Sequence, residues 1–516
     1  MKKFLSVFVS VLFACALPLT LAGCSESAET VVLRVCSWEE YIDLGGWNDD
    51  ELIEIDNPFD EEAGGVIGIN SMVDDFTEWF NSTHDFNVKV EYSTFGTNED
   101  LYNRLSLGDV YDIVCPSDYM LMKLIAENNY VEYTDGFWDT DVEENYYAKF
   151  VTPYIDGAEK EGIFNRPEYD WHMKAACYMW GTLGLVYNPE KLNDVSDVAT
   201  WKMLMNDDYL KQVTIKDNVR DSYFAALGIL NSENFLSKQL GSRELSNFMN
   251  ATDDETIAQA EDILKAIKEV VYSFETDSGK ADMVTGKVIA NEQWSGDAVY
   301  IMDEAEGDEE NSTELWYSVP EECTNIWFDG WIKLKNGVDW TDERHQAAEA
   351  FVNFLSRPDN AVRNMYYIGY TSAIAGDLVF DYMDYNYGAE EDAEQMFEYD
   401  LSYFFGEGYA IEADAANFDF DENGEVNRGR QLFAQYPPKN VINRSVVMLD
   451  FGDRLAQINQ MWINVRCLDL KDISPVVIGV ACALIGVITI AALLYSFRYK
   501  LFIKYKPKKG YEKADK

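Results

Sequence analysis

The sequence predicts an α/β protein built as two lobes. The run 31–36 is apolar and β-branched, 88–92 alternates polar and apolar residues, and 111–115 is a short apolar run that Pro116 ends. Between the last two, 98–107 has the pattern of a helix. Strands that alternate with helices indicate parallel βαβ units, whose carboxyl ends are available to a ligand. The chain between its apolar ends is about 440 residues long, more than one hydrophobic core holds, so we expect two lobes.

A later helix and two acidic insertions complete the body. Thr341 caps a helix that Pro358 ends, and its apolar positions recur at helical spacing: Ala347, Ala348, Phe351, Phe354 and Leu355. The stretches 44–83 and 376–439 are predicted to be acidic surface insertions. The second contains the first half of a calcium loop, at Asp419, Asp421, Asn423 and Gly424. Arg430 stands where the loop needs its bidentate Glu, so we expect a solvated acidic loop and no metal site there. We also expect no cofactor.

The N-terminus is predicted to be the signal peptide of a lipoprotein. Two lysines precede an apolar run, and Leu21-Ala22-Gly23-Cys24 follows. This places a signal peptide at 1–23, lipid on the thiol of Cys24 and a polar tether at 24–30. A plain signal peptide with a chance cysteine is the alternative.

The other end is predicted to cross the membrane once. Residues 475–497 form an almost purely apolar run of the length that spans a bilayer. The tail 498–516 is basic, which is typical of the cytoplasmic side. The lobes are therefore expected on the extracellular, periplasm-equivalent face of the cell membrane.

Charge and motif content exclude several function classes. The chain has 41 Lys and Arg against 92 Asp and Glu, a formal net charge of −51, so no basic groove could replace the counterions of a nucleic acid. Its three histidines lie in no nucleophile or HExxH motif, and no pair of acids is marked for glycoside hydrolysis. We expect a protein that is not an enzyme. The scattered cysteines form no disulfide framework, and Cys36 and Cys115 are predicted to be small buried hydrophobes.

Four separated segments place a Trp or Tyr beside a carboxylate. They are Trp38-Glu39-Glu40-Tyr41, Ser117-Asp118-Tyr119, Trp294-Ser295-Gly296-Asp297 and Trp327-Phe328-Asp329. Aromatic faces attract ammonium groups and pack against methylenes, while carboxylates accept N–H donors. This combination suits a flexible organic cation such as a polyamine. Aromatic residues are also ordinary core residues, so the order of the segments matters more than their composition.

In that order the segments resemble the spermidine/putrescine-binding proteins of bacterial ABC importers. The likeness extends from about residue 33 to 369. Further segments that carry it are 90–95, 98–99, 111–116, Trp180-Gly181-Thr182-Leu183-Gly184, and Ile368-Gly369-Tyr370. The resemblance implies a type II periplasmic-binding fold, in which two α/β lobes with central mixed sheets close like a hinge on a ligand. We expect lobe 1 at 31–150 and 328–376, and lobe 2 at 151–327 and 377–466.

The resemblance also implies which side chains bind the ligand. Asp221 and Asp329 would accept the terminal ammonium groups, and Trp294, Trp327 and Tyr370 would complete an aromatic box. The full expected set is Trp38, Glu40, Tyr41, Ser117, Asp118, Tyr119, Asp221, Trp294, Trp327, Asp329 and Tyr370. The family often has an acid three residues before the position of Asp221, where this chain has Asn218. That difference leaves the choice among putrescine, spermidine and other diamines open.

The expected function is the polyamine-binding component of an ABC importer, a monomer that delivers its ligand to the permease subunits. A type II binding protein for a metal, thiamine or a sugar is an alternative with the same fold. A membrane-anchored sensor is the other alternative.

Overall fold

The computed structural model describes residues 30–48, 53–55, 65–156, 171, 173–237, 240–307, 312–390, 393–467 and 475–504. Residues up to Leu455 form one compact unit, and residues from Ala456 form another. The predicted signal peptide, Cys24 and nearly all of the tether lie outside the described residues.

The first unit contains all the described strands. In chain order they are β1 (Thr30–Trp38), β2 (Ile53–Ile55), β3 (Gly65–Ile67), β4 (Asn87–Phe95), β5 (Ile113–Val114), β6 (Ala175–Tyr187), β7 (Val213–Lys216), β8 (Ser273–Glu275), β9 (Ala290–Trp294), β10 (Trp316–Ser318), β11 (Thr324–Lys333), β12 (Thr371–Ser372), β13 (Met396–Asp400), β14 (Ala410–Asp414), β15 (Phe418–Phe420), β16 (Val426–Gly429) and β17 (Ser445–Val446).

Helices connect these strands and follow them to the C-terminus. They are α1 (Met72–Thr83), α2 (Asn98–Leu107), α3 (Asp118–Ala126), α4 (Tyr146–Phe150), α5 (Pro153–Asp156), α6 (Val219–Ser237), α7 (Ser242–Met249), α8 (Asp254–Val270), α9 (Ser278–Val284), α10 (Ser295–Glu306), α11 (Asp342–Leu355), α12 (Pro358–Ile368), α13 (Asp377–Tyr387), α14 (Ser402–Phe405), α15 (Gln431–Gln435), α16 (Lys439–Ile442), α17 (Leu455–Arg466) and α18 (Pro475–Lys504).

Two long antiparallel strands, β6 and β11, form the middle of the first unit. Their pairing extends from Ile326 opposite Thr182 to Ile332 opposite Ala175. Every residue of both strands is buried. Strands covered on both faces need nearly continuous apolar sequence, which both of these strands have over most of their length.

The two ends of β6 belong to different halves of the sheet. On one side, the strand order is β6-β11-β5-β1-β4, with β1 parallel to both β4 and β5. On the other side, the last residues of β6 pair with β9 and β10, and β7 and β8 continue in parallel from β9. Each half is therefore a mixed sheet, and β6 joins the two.

The predicted secondary structure of the first half is confirmed. The runs at 31–36, 88–92 and 111–115 lie in or around β1, β4 and β5, and the helix predicted at 98–107 is α2. Helix α11 begins after Thr341, whose side chain accepts a hydrogen bond from the backbone N–H of Arg344, and it ends before Pro358. Cys36 and Cys115 are buried free thiols, as predicted.

The prediction that 44–83 and 376–439 are surface insertions is wrong for much of both stretches. Helix α1 puts Met72, Phe76 and Phe80 fully inside the core, because these residues lie on one face at a spacing of four. In the second stretch, Ile411 and Phe433 are also fully buried. The prediction was based on the high acid content of these stretches and overlooked the apolar residues that pack into the core.

The prediction of a transmembrane helix at 475–497 is also contradicted. The second unit contains α17 and the 30-residue helix α18, whose side chains are described only at 479–480 and 483–496. A transmembrane helix needs about 20 consecutive apolar residues. Among the residues that the structure describes, no helix is both long enough and apolar enough to cross a membrane. The cytoplasmic assignment of 498–516 depended on that span and stays a prediction.

We expect Gly184→Ala to destabilise the first unit. A Cβ at Gly184 would lie 2.4 Å from the backbone oxygen of Ser318 and 2.6 Å from the ring of Tyr317, so the β6–β10 contact would have to open. Overpacking of this kind costs about 1–3 kcal/mol, and thermal unfolding of the full chain would show a lower midpoint. Gly136→Ala is the control, since the nearest atom to its Cβ is 3.7 Å away. Equal midpoints for the two variants would contradict this packing.

Candidate ligand-binding site

A cavity of about 780 Å³ lies where strands of both halves of the sheet end. The structure brings together in its lining all eleven side chains that the sequence predicts for ligand binding: Trp38, Glu40, Tyr41, Ser117, Asp118, Tyr119, Asp221, Trp294, Trp327, Asp329 and Tyr370. These residues come from six separate parts of the chain.

In the first half of the sheet, parallel strands deliver the lining residues to one edge. Trp38 is the last residue of β1, and its ring lies 4.8 Å from that of Phe95, the last residue of β4. Glu40 has a φ of 52°, which turns the chain sharply before Tyr41. Ser117 follows β5 and precedes α3, so Asp118 and Tyr119 occupy the first turn of that helix.

In the second half, β7 and β9 are also parallel and end at the same edge. Trp294 is the last residue of β9. Asp221 lies in the first turn of α6, which follows β7. Tyr370 comes directly after Gly369, whose φ of 74° ends α12. A Cβ at Gly369 would lie 2.9 Å from the backbone oxygen of Gly296, so glycine permits this close approach.

Strand β11 supplies Trp327 and Asp329 from the middle of the protein. The register between β11 and β6 shifts between Asp329 and Gly330, and Asp329 also makes an isolated bridge with Ser117. Bulges of this type redirect side chains out of the regular ladder. Asp329 thus lies beside the residues that the first half contributes.

Asp118 and Asp329 form one acidic end of the site. The hydroxyl of Tyr41 donates to Oδ2 of Asp329 at 2.6 Å, and the backbone N–H of Tyr119 donates to Oδ1 of Asp118 at 2.6 Å. Oδ1 of Asp329 and Oδ2 of Asp118 are buried and have no partner among the described residues. Burial raises the pKa of Asp329 to about 6. Burial, with the charge of Asp329, also raises the pKa of Asp118 well above its ordinary value.

Asp221 is the acid of a second region. It is 4% exposed, and within the described part of the chain its Oδ2 has no hydrogen-bond partner. Burial raises its pKa to about 6, although the charge of nearby Lys216 acts in the opposite direction. Both regions therefore hold carboxylate oxygens that a cationic ligand could satisfy.

Aromatic rings line the same cavity. The ring of Tyr370 is 5.7 Å from that of Trp327 and meets that of Tyr41 edge-on at 5.3 Å. The indole Nε1 atoms of Trp38 and Trp327 are buried and lack a partner among the residues described. The lining can therefore pack against methylenes and also offer donors.

Sequence reasoning missed acids of the lining, and the most buried of them is Asp297. Asp297 lines the cavity and is 5% exposed, and its Oδ1 accepts a hydrogen bond from the hydroxyl of Tyr370 at 3.1 Å. The segment 294–297 was singled out, but Asp297 was not assigned to the ligand. Its position in the first turn of the helix that follows Trp294 is the signal that could have found it.

Sequence reasoning also missed the basic side chains. Lys216 lies 3.9 Å from the Trp294 ring centre, Arg220 stacks 3.6 Å from that of Tyr119, and Lys280 lines the cavity. Arg220 pairs with Glu99 at 3.2 Å. Among the described residues, no group of three or more His, Cys, Asp or Glu side chains is placed to hold a metal ion.

Comparison with known proteins identifies relatives of this chain. A model of the family of bacterial extracellular solute-binding proteins matches residues 71–376. The putrescine-binding periplasmic protein SpuD of Pseudomonas aeruginosa is 25% identical over 364 residues, which are 68% of this chain and 81% of that protein. The spermidine/putrescine-binding periplasmic protein of Escherichia coli is 24% identical over 290 residues, 56% of this chain and 71% of its own.

A solved structure of a Listeria monocytogenes protein assigned to spermidine/putrescine ABC transport superposes with a TM-score of 0.55. It covers 84% of this chain and 98% of its own at 20% identity, so the likeness shows the fold alone. The two-lobe periplasmic-binding fold is thereby confirmed, without the predicted membrane span. The family match also makes the chain a solute-binding component of an ABC transporter and not an enzyme. With the matched region covering more than half of its length, the chain belongs to the family of bacterial extracellular solute-binding proteins.

Proposed function

We propose that this chain binds polyamines, putrescine or spermidine, in the cavity between its lobes and delivers them to the permease of an ABC importer. One observation carries the proposal: three buried carboxylates, Asp118, Asp221 and Asp329, each have an oxygen without a partner among the described residues, and all three line one cavity. A buried charge without a partner is costly, so such a site favours a cation.

Each part of the site has a role in this proposal. Asp329 and Asp221 accept hydrogen bonds from ammonium groups, with Asp118 beside the first. Trp294, Trp327 and Tyr370 cover the methylene chain. The lining is completed by Trp38, Glu40, Tyr41, Ser117 and Tyr119. This ligand class is supported by the names of two relatives, which describe them as binding putrescine or spermidine/putrescine.

The interaction energies are adequate for such binding. Two or three hydrogen bonds to charged groups contribute about 1.5–3 kcal/mol each, and each aromatic contact adds about 0.5–2 kcal/mol. Micromolar affinity corresponds to about 8 kcal/mol. Closure of the lobes on the ligand is then the signal to the permease. We also propose that Cys24, which precedes the described residues, carries the lipid that keeps a monomeric protein at the cell surface.

Calorimetric titration of the full chain with putrescine and spermidine tests the ligand directly. We expect saturable one-to-one binding that weakens at least 100-fold, about 3 kcal/mol, in Asp329→Asn and in Trp294→Ala. The control is Asp85→Asn, which removes an exposed acid outside the cavity. If the protein binds neither amine, the polyamine proposal is wrong, and metals, thiamine and sugars are the next ligands to titrate.

The affinity for putrescine should rise with pH between 5.0 and 7.5. The pKa values of Asp221 and Asp329 are about 6, so below pH 6 these groups are largely protonated in the empty site and must release protons to bind an ammonium. We expect a gain of about 10-fold for each group over this range, while the amine stays charged. Calorimetric titrations in buffers of different ionisation enthalpy would measure the number of protons released on binding. An affinity for putrescine that does not change between pH 5.0 and 7.5 would contradict the assignment of Asp221 and Asp329 as the ammonium acceptors.

The empty site should destabilise the fold at neutral pH. The pKa of Asp329 is about 6 in the folded protein against an ordinary 3.8, so the folded state loses stability as the pH rises through 6. The difference corresponds to about 3 kcal/mol. We therefore expect Asp329→Asn to raise the thermal midpoint of the ligand-free chain at pH 7.5, with a smaller effect at pH 5. A lower thermal midpoint for Asp329→Asn at pH 7.5 would contradict this prediction, because it would show that the folded protein stabilises the charged form of Asp329.

A further inference from the structure

The cavity holds an ammonium group of its own. Lys280, on α9, lines the cavity, and its Nζ lies 3.4 Å from Oδ1 of Asp297. The fully buried Lys216 approaches the other oxygen, Oδ2 of Asp297, also at 3.4 Å. Asp297 is thus the one acid described in the lining that the protein already pairs with two lysines.

Acids from both lobes surround Lys280. Besides Asp297, the charges of Asp277 and Glu40 act on it, and the ring of Tyr300 lies 5.7 Å from its Nζ. Burial lowers the pKa of Lys280, but these acids more than offset it and the pKa is raised. Its side chain is 21% exposed, so Lys280 remains a charged group in contact with the cavity.

The three carboxylates proposed to bind ammonium groups lack such a partner. Oδ2 of Asp118, Oδ2 of Asp221 and Oδ1 of Asp329 are without hydrogen bonds among the described residues. The charge of Arg220 acts on Asp118 and Asp221, and that of Lys216 on Asp221, but no described lysine forms a salt bridge with any of the three acids. Asp118 and Asp329 act as one region, since the charge of Asp329 raises the pKa of Asp118. The cavity therefore has two regions that need a cation and a third, at Asp297, that has one.

We infer that Lys280 is a specificity-determining residue that makes this site select dicationic diamines over tricationic triamines. The inference rests on the proposed polyamine function. The Lys280 ammonium takes the place of a third ligand ammonium at Asp297, and a triamine would bring its extra charge close to a fixed charge of the same sign. A diamine satisfies the two remaining regions without that repulsion.

The test is calorimetric titration of the full chain and of Lys280→Met with putrescine and with spermidine at pH 7.5. Methionine keeps an unbranched, flexible apolar side chain and removes the charge. We expect the unaltered protein to prefer putrescine, and the ratio of the two dissociation constants to shift toward spermidine by at least 10-fold in Lys280→Met. Lys280→Gln should shift the ratio in the same direction, and Lys280→Arg should keep the original preference.

Lys287→Met is the matched control, since Lys287 pairs with Asp282 on the surface and does not line the cavity. It should leave the ratio unchanged. A ratio within twofold of the original in both Lys280→Met and Lys280→Gln, with amine binding intact, would overturn the inference alone. A preference of the unaltered protein for spermidine would also overturn it. Absence of binding by any amine in all variants and in the unaltered protein would instead refute the polyamine function, and the inference with it.

Discussion

The pairing of β6 with β11 is the constraint on which the rest of this protein depends. β6 contributes its first residues to one half of the sheet and its last residues to the other, so the two halves share one continuous strand. Gly181 and Gly184 in β6 keep space for Ser295 and Tyr317 on neighbouring elements. The bulge at Asp329 in β11 then directs an acid from this rigid centre toward the cavity.

The site is organised by the cost of burying charge. Asp118, Asp221 and Asp329 are almost fully buried, and burial raises the pKa of each. The burial of apolar strands and helices in the core offsets this cost. Asp297 differs from these three acids because it forms salt bridges with two lysines of the protein, Lys216 and Lys280. In the proposed function, this difference between Asp297 and the other three acids determines which ligand charge the cavity binds.

Much of the candidate site was predictable from the sequence because its residues lie at the ends of strands, beside apolar runs, a proline or a helix start that mark those ends. Trp38 ends a β-branched run, Ser117 follows Pro116 after a short apolar run, and Trp294 precedes a helix start. Their order resembles that of a known family, which placed distant segments around one ligand. Helix α1 was missed because only a few buried apolar residues stand among its acidic ones. The predicted membrane span is contradicted, since no described helix is long and apolar enough to cross a membrane.

The eleven side chains that line the cavity followed from the resemblance to a known family. Local pattern was enough for the α/β class and for most strands of the first half. These features depend on periodicity and on neighbours in sequence, which the chain displays directly. Only the folded chain revealed the pairing of Lys216 and Lys280 with Asp297, and the absence of a partner for Oδ1 of Asp329 among the described residues. They involve residues from different elements, and the protonation of each acid depends on burial that no local pattern encodes.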